Sequence, residues 1–194
     1  MHSDVVQKAL ELANAYALKK KHDYVGTEHM LIGLIETADP ATLDLLTACQ
    51  LDPATIITEV EKLVMEGPDD VVAGKKPNTP RGRKTLEYAA EEARNWRCDS
   101  VEGPHLLLAL LREDEGVAAQ VLMNLGLMLD PTRETLMQRD VRMPTIKVIN
   151  PHVMLITIGE SPTDAPHDAR EFFRQAVNRY IGTRATSILI FSDP

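Results

Sequence analysis

Aromatic side chains are scarce in this chain. Phe, Tyr and Trp make up 4% of its 194 residues, with one Trp. Sheets lean on aromatic and β-branched residues, so a 44% hydrophobic share drawn mainly from Leu, Ile, Val, Ala and Met points to packed helices. Cysteine is nearly absent. Cys49 and Cys98 show no CxxC spacing and no His partner at metal-ligand spacing, which excludes a disulfide scaffold and suits a reducing cytosol. No stretch approaches the roughly 20 apolar residues of a membrane span. Met1 to Lys21 also lacks the apolar centre of a secretory leader. The expected location is cytoplasmic, with no membrane partner. Positive charge is in deficit, with 21 basic against 29 acidic residues and a net charge of −8. An acidic surface repels phosphate backbones, which argues against nucleic acid. The deficit belongs to residues 1–140, with 15 basic and 24 acidic residues; residues 141–194 hold 6 and 5.

Catalytic signatures are missing too. A nucleotide-hydrolysing loop needs GxxxxGK followed by Ser or Thr. The only Gly-Lys pair, Gly74-Lys75, has Asp69 where the first glycine belongs and Lys76 where the hydroxyl belongs. Ser161 lacks a GxSxG elbow, and His152, Asp164, His167 and Asp168 show no triad spacing. The expectation is a protein that is not an enzyme and carries no cofactor.

What is present is a repeat. Tyr24 to Leu34 aligns with Ser100 to Leu110, with Val25 on Val101 and His29 on His105. The same offset of 76 puts Leu10, Ala13 and Ala17 on Leu86, Ala89 and Ala93, and Leu46 on Leu122. Each copy contains four helical stretches. The first runs from Asp4 to Lys21, with Val6, Leu10, Ala13 and Ala17 on one face. Thr27 is expected to cap a short second helix. The third spans Pro40 to Cys49, and Asp52-Pro53 opens the fourth as an N-cap followed by proline, with Ile56, Ile57, Val60, Leu63 and Val64 inward. The second copy opens its helices at Thr79-Pro80, Gly103-Pro104, Val117 and Asp130-Pro131. The fold class expected is mainly α: a pseudo-twofold tandem repeat of two four-helix units. Repeat one is 1–66, a Pro- and Gly-containing linker 67–78, and repeat two 79–140.

Residues 144–194 follow another pattern. Ile146 to Ile158 is rich in β-formers and broken by Asn150-Pro151, Asp168 to Ile181 reads as a helix, and Ser187 to Phe191 as a strand. A small β-β-α-β or β-α-β appendage is expected, whose apolar last strand suits pairing across a homodimer.

The paired motif carries a family resemblance. Val25-Gly26-Thr27-Glu28-His29-Met30-Leu31-Ile32-Gly33-Leu34 resembles the signature that the amino-terminal domain of Clp ATPases repeats twice. Leu110 to Ala119 resembles the turn that follows it, and Thr79-Pro80-Arg81 the opening of the second repeat. The likeness covers residues 1 to about 140 and is strongest to the ClpC-like variant. It implies a non-catalytic module of the Clp chaperone-protease system that docks adaptors and client proteins, or modulates the ring. The β-rich end does not resemble the start of an ATPase ring, which favours a standalone protein. In ClpC-like members the resemblance also implies binding of phosphorylated arginine: a hydroxyl and free amides at a helix start hold phosphate, and the signature glutamate holds the guanidinium. Carried over, one pocket would use Ser3 and Glu28. The second would use Thr79 with Pro104, where proline replaces glutamate and the pocket is degenerate. An alternative is a structural accessory that docks on Clp ATPase or peptidase subunits with idle pockets. His29 and His105 stand in different repeats with no second ligand at i+3 or i+4, so packing rather than metal is expected. Cys49, Cys98 and Trp96 are expected in the core, and Lys19 to Lys21 at a solvated helix end.

Overall fold

The computed structural model describes residues 1–69, 74–96 and 98–140, with three strands at 145–150, 153–158 and 187–192. The chain divides into two compact units, Met1–Leu136 and Met137–Pro194.

The first unit holds eight helices. They are α1 (Asp4–Lys19), α2 (Thr27–Glu36), α3 (Pro40–Ala48), α4 (Pro53–Leu63), α5 (Pro80–Asn95), α6 (Gly103–Arg112), α7 (Val117–Asn124) and α8, which opens at Leu129 and runs to Asp140. The starts follow local chemistry. Ser3, Asp39, Asp52 and Thr79 accept from backbone amides of the first turns of α1, α3, α4 and α5. Proline at the start of α3, α4 and α5 gives up an amide that has no intrahelical partner anyway.

Helices α2 and α6 form the centre. All residues from Thr27 to Ile35 and from Gly103 to Leu111 are buried, because each helix is apolar on every side and has neighbours on every side. α1 packs on α2 and α5 on α6, while α2 meets α6, α7 and α5 across the repeats. Gly33 allows the close crossing of α1: a Cβ there would stand 2.2 Å from the Ala9 carbonyl oxygen and 2.7 Å from the Ala13 nitrogen. Polar staples join the layers. Glu92 on α5 is 1% exposed and accepts from Arg133 of α8 at 2.8 and 3.3 Å. Arg112 of α6 adds a contact to Glu92 at 3.5 Å. Glu61 of α4 pairs with Lys20 and accepts from the Tyr16 hydroxyl at 2.9 Å. Burial together with that bond raises the Tyr16 phenol well above its usual range.

Three expectations are corrected here. Leu63 is 52% exposed rather than inward. Cys98 is exposed, and Trp96 is half-buried at the end of α5; Cys49 packs on the core. Thr27 is not the N-cap of α2. Gly26 holds that place, and the Thr27 hydroxyl instead accepts from the Ala118 amide of the other repeat at 3.4 Å.

In the second unit β1 (Thr145–Asn150) pairs antiparallel with β2 (Val153–Ile158), and β2 pairs parallel with β3 (Ser187–Ser192), in the order β1-β2-β3. The expected helix from Asp168 to Ile181 lies outside the described residues.

Candidate functional site

The two repeats exchange their leading segments. The amide of Ser3 donates to the Val101 carbonyl at 3.0 Å and the Val101 amide to the Met1 carbonyl at 2.8 Å. The same pair of bonds recurs one repeat along. Thr79 donates to the Val25 carbonyl at 2.9 Å, and Val25 donates to the Pro77 carbonyl at 2.9 Å. Every partner is shifted by the repeat offset of 76, so the arrangement is an internal pseudo-dyad. Each repeat's first helix therefore starts beside the signature helix of the other.

This exchange corrects the pairing of site residues. Glu28 shares a groove with Thr79, not with Ser3. Ser3 lies beside Val101, next to the start of α6 where Gly103 and Pro104 stand. The Thr79–Glu28 groove encloses about 640 Å³. Its walls come from Tyr24, Gly26, Thr27 and Glu28, the α5 start with Arg81 and Lys84, and Glu113, Glu115, Gly116 and Val117 at the α7 start. It offers both signs of charge. The Thr79 hydroxyl accepts from the Gly82 amide at 3.0 Å, and Arg81 and Lys84 stand half-exposed on the first turns of α5. α7 has Gly116 as its N-cap, and the Thr27 hydroxyl accepts from its first turn at the Ala118 amide. Oriented amides and two cations suit an anion, and Glu28 suits a cation.

Glu28 is 9% exposed and folds back over the start of its own helix. A Cβ on Gly26 would stand 2.4 Å from its Oε1, so glycine lets the Glu28 carboxylate keep this place. Burial pushes the Glu28 carboxyl up, but the bond to His29, the charges of His29 and His22 and its own backbone amide outweigh that, leaving it below the ordinary value of 4.5. His29 Nδ1 makes two contacts with opposite demands. Nδ1 accepts from the Gly26 amide at 2.8 Å, which requires a bare nitrogen, yet it also faces Glu28 Oε1 at 3.1 Å, which is favourable only when protonated. With a bare Nδ1, Nε2 carries the proton and donates to His22 Nδ1 at 2.8 Å, and His22 Nε2 donates to the Met65 carbonyl at 2.8 Å. The equivalent His105 accepts from the Glu102 amide at 3.0 Å. The two histidines therefore serve as caps of the signature helices.

His29 has no second ligand at i+3 or i+4, as expected, but His22 stands beside it from seven residues before. One ring nitrogen from each, with a Glu28 oxygen, lies within 4.8 Å of the others. Two nitrogens on one tetrahedral zinc stand roughly 3.3 Å apart, from bonds of about 2.0–2.1 Å. The rings here are closer than that and hold each other directly.

The second half-site is closed. Asp39 caps α3 by accepting from the Thr42 amide at 3.0 Å and the Thr42 hydroxyl at 2.7 Å. A Cβ on Gly103 would meet Thr42 Oγ1 at 2.2 Å and Asp39 Oδ2 at 2.6 Å. Thr27 of the first signature thus corresponds to a glycine here, with Asp39 and Thr42 in the vacated space. Pro104 is buried and offers no carboxylate. Arg81, Lys84 and Glu113 were not marked as site residues from sequence, because nothing in their spacing says that they face Glu28.

The family model described as the Clp repeat (R) N-terminal domain matches residues 1–125 and 78–155. The chain belongs to this family. Among its members, ClpC/MecB of Bacillus subtilis, called a negative regulator of genetic competence, is 39% identical over 132 residues. That alignment covers 68% of this chain and 16% of ClpC/MecB. The chaperone protein ClpB of Oceanobacillus iheyensis is 38% identical over 137 residues, covering the same shares. The chain thus spans about a sixth of the length of these relatives. The Hsp104 N-terminal domain of Candida albicans shares the fold, with a TM-score of 0.61 at 16% identity over 72% of this chain and 91% of that one. Clp N-terminal domains are binding modules, so this chain contains a protein-binding module of that family. No helix among the described residues is long and apolar enough to cross a membrane.

Proposed function

We propose that the chain is a non-catalytic, cytoplasmic docking module of the Clp chaperone-protease system. It takes adaptor or client segments into the groove between its repeats and needs no cofactor. The observation that carries this reading is the meeting of Thr79 and Glu28, from different repeats, in one groove of mixed charge. A phosphorylated arginine matches that groove. Its phosphate suits the α5 start with Thr79, Arg81 and Lys84, and its guanidinium suits Glu28. Ser3 and Pro104 belong to the closed half-site and are assigned no ligand.

Calorimetric titration of the full chain with phosphoarginine tests this. Wild type binds, Glu28→Ala and Thr79→Ala each weaken binding about tenfold or more, and Ser3→Ala leaves it unchanged. Absence of binding, or equal binding by Glu28→Ala, removes the reading. A second reading, an accessory that docks on a Clp ring or peptidase with idle pockets, draws on the closure of the Pro104 half-site by Asp39. Capture from native cytosol separates the two: ring or peptidase subunits alone support the accessory, and a varied client set supports docking. Pairing of two chains through β3, an end strand of the described sheet, completes the proposal; a solution mass of one chain removes that part.

A further inference from the structure

We propose that Glu113 is a second cation-recognising residue of the groove, taking with Glu28 the guanidinium or ammonium head of a partner's side chain. The proposal deepens the docking reading and rests on it. It gives the cation two carboxylates, one from each repeat.

Glu113 follows α6 directly. Its side chain is 3% exposed, yet it lines the groove. Buried carboxylates ordinarily hold a cation or several donors. The Oε2 atom of Glu113 has no hydrogen-bond partner. The nearby cations stand off, Arg81 Nε at 3.9 Å and Lys84 Nζ at 3.8 Å, both beyond hydrogen-bond reach. They are also engaged elsewhere. Arg81 donates to Glu115 at 2.9 Å, and Lys84 Nζ lies 5.3 Å from the centre of the Tyr88 ring. What remains is a buried carboxylate oxygen without a donor at the wall of a groove.

The surroundings keep it open. A Cβ on Gly116 would stand 3.1 Å from Glu113 Oε2 and 2.7 Å from Thr27 Oγ1, so glycine leaves the approach free of a side chain. A guanidinium carries five N–H donors in one plane and can serve two carboxylates at once. The second repeat, with proline at 104, thus contributes a carboxylate to the groove of the first signature from Glu113.

The test uses the full chain and two fluorescein-labelled peptides, identical except for a central phosphoarginine or phosphoserine. Glu113→Gln is expected to weaken the phosphoarginine peptide about tenfold or more, the scale of one charge-assisted bond, and to leave phosphoserine affinity unchanged. Its melting temperature should stay close to wild type, because Arg81 and Lys84 keep Glu115 and the Tyr88 ring as partners. Glu113→Asp, which keeps the charge and shortens the reach, should fall between wild type and Glu113→Gln. Wild-type affinity for phosphoarginine in Glu113→Gln, or equal losses for both peptides, overturns the proposal. If Glu113→Gln melts well below wild type, Glu113→Asp decides, and full phosphoarginine affinity there overturns it. Loss in Glu28→Gln without loss in Glu113→Gln removes this inference and keeps the docking reading. A wild type that ignores the phosphoarginine peptide removes both.

Discussion

Glu92 and Glu28 are both buried carboxylates, and they are held in different ways. Glu92 is neutralised by a two-bond Arg133 fork and by Arg112, so it ties α5 to α8 and α6. Glu92→Ala cuts this tie and leaves Arg133 with Asp130 and Arg112 with Glu91, and a loss of about 1–3 kcal/mol is expected by chemical denaturation. Glu28 has only its own helix start and His29. Its folded pKa lies below the ordinary 4.5, so its contribution is fully present above that value and is lost as pH falls through the folded pKa. Urea melts of wild type and Glu28→Gln should therefore show a stability difference that shrinks as pH falls below 4.5. A difference that grows in acid contradicts this assignment.

The contact between α1 and α2 depends on a glycine. The Cβ introduced by Gly33→Ala would run into the backbone of Ala9 and Ala13, which cannot swing aside as a side chain can. α1 must then lift from α2, and a loss of about 1–3 kcal/mol is expected as a lower melting temperature. The second repeat has Ala109 at the matching position. Helix starts differ in the same sense. α3 closes its own with Asp39, while α7 has Gly116 and no side-chain cap. In the filled half-site Gly103 and Pro104 also replace Thr27 and Glu28, whereas in the groove the Thr27 hydroxyl accepts from the first turn of α7.

At the scale of the molecule, the exchanged bonds through Val25 and Val101 make each repeat incomplete alone. Met1–Leu136 is therefore expected to melt in one cooperative step. The isolated segment 1–66 should lose much of its helical circular dichroism, because its α2 faces α6 and α7 of the other repeat. A stable helical fragment 1–66 would contradict this account. Cleavage by protease under native conditions, followed by mass measurement, should spare residues 1–136 if the two compact units are separately stable.

Much of the helical unit was legible in the chain. Apolar spacing, Ser, Asp and Thr caps, and proline at helix starts are local, and each acts within a few residues of itself. The repeat was legible for the same reason: Val25, His29 and Leu46 recur at one offset whatever the fold does with them. Which repeat partners which was not. Ser3 and Glu28 lie in one repeat, and symmetry of sequence is satisfied equally whether each first helix serves its own signature or the other's. Only backbone hydrogen bonds between distant segments decide between those arrangements, and they bring Thr79 to Glu28. Burial of Glu113 and the meeting of His22 with His29 are of the same kind, since both depend on loops closing against helices. The sequence by itself determined the helices, the Ser, Asp and Thr caps of α1, α4 and α5, and the doubling. The tertiary structure decided the site, because a site is made by contacts between segments whose separation along the chain says nothing of their distance in space.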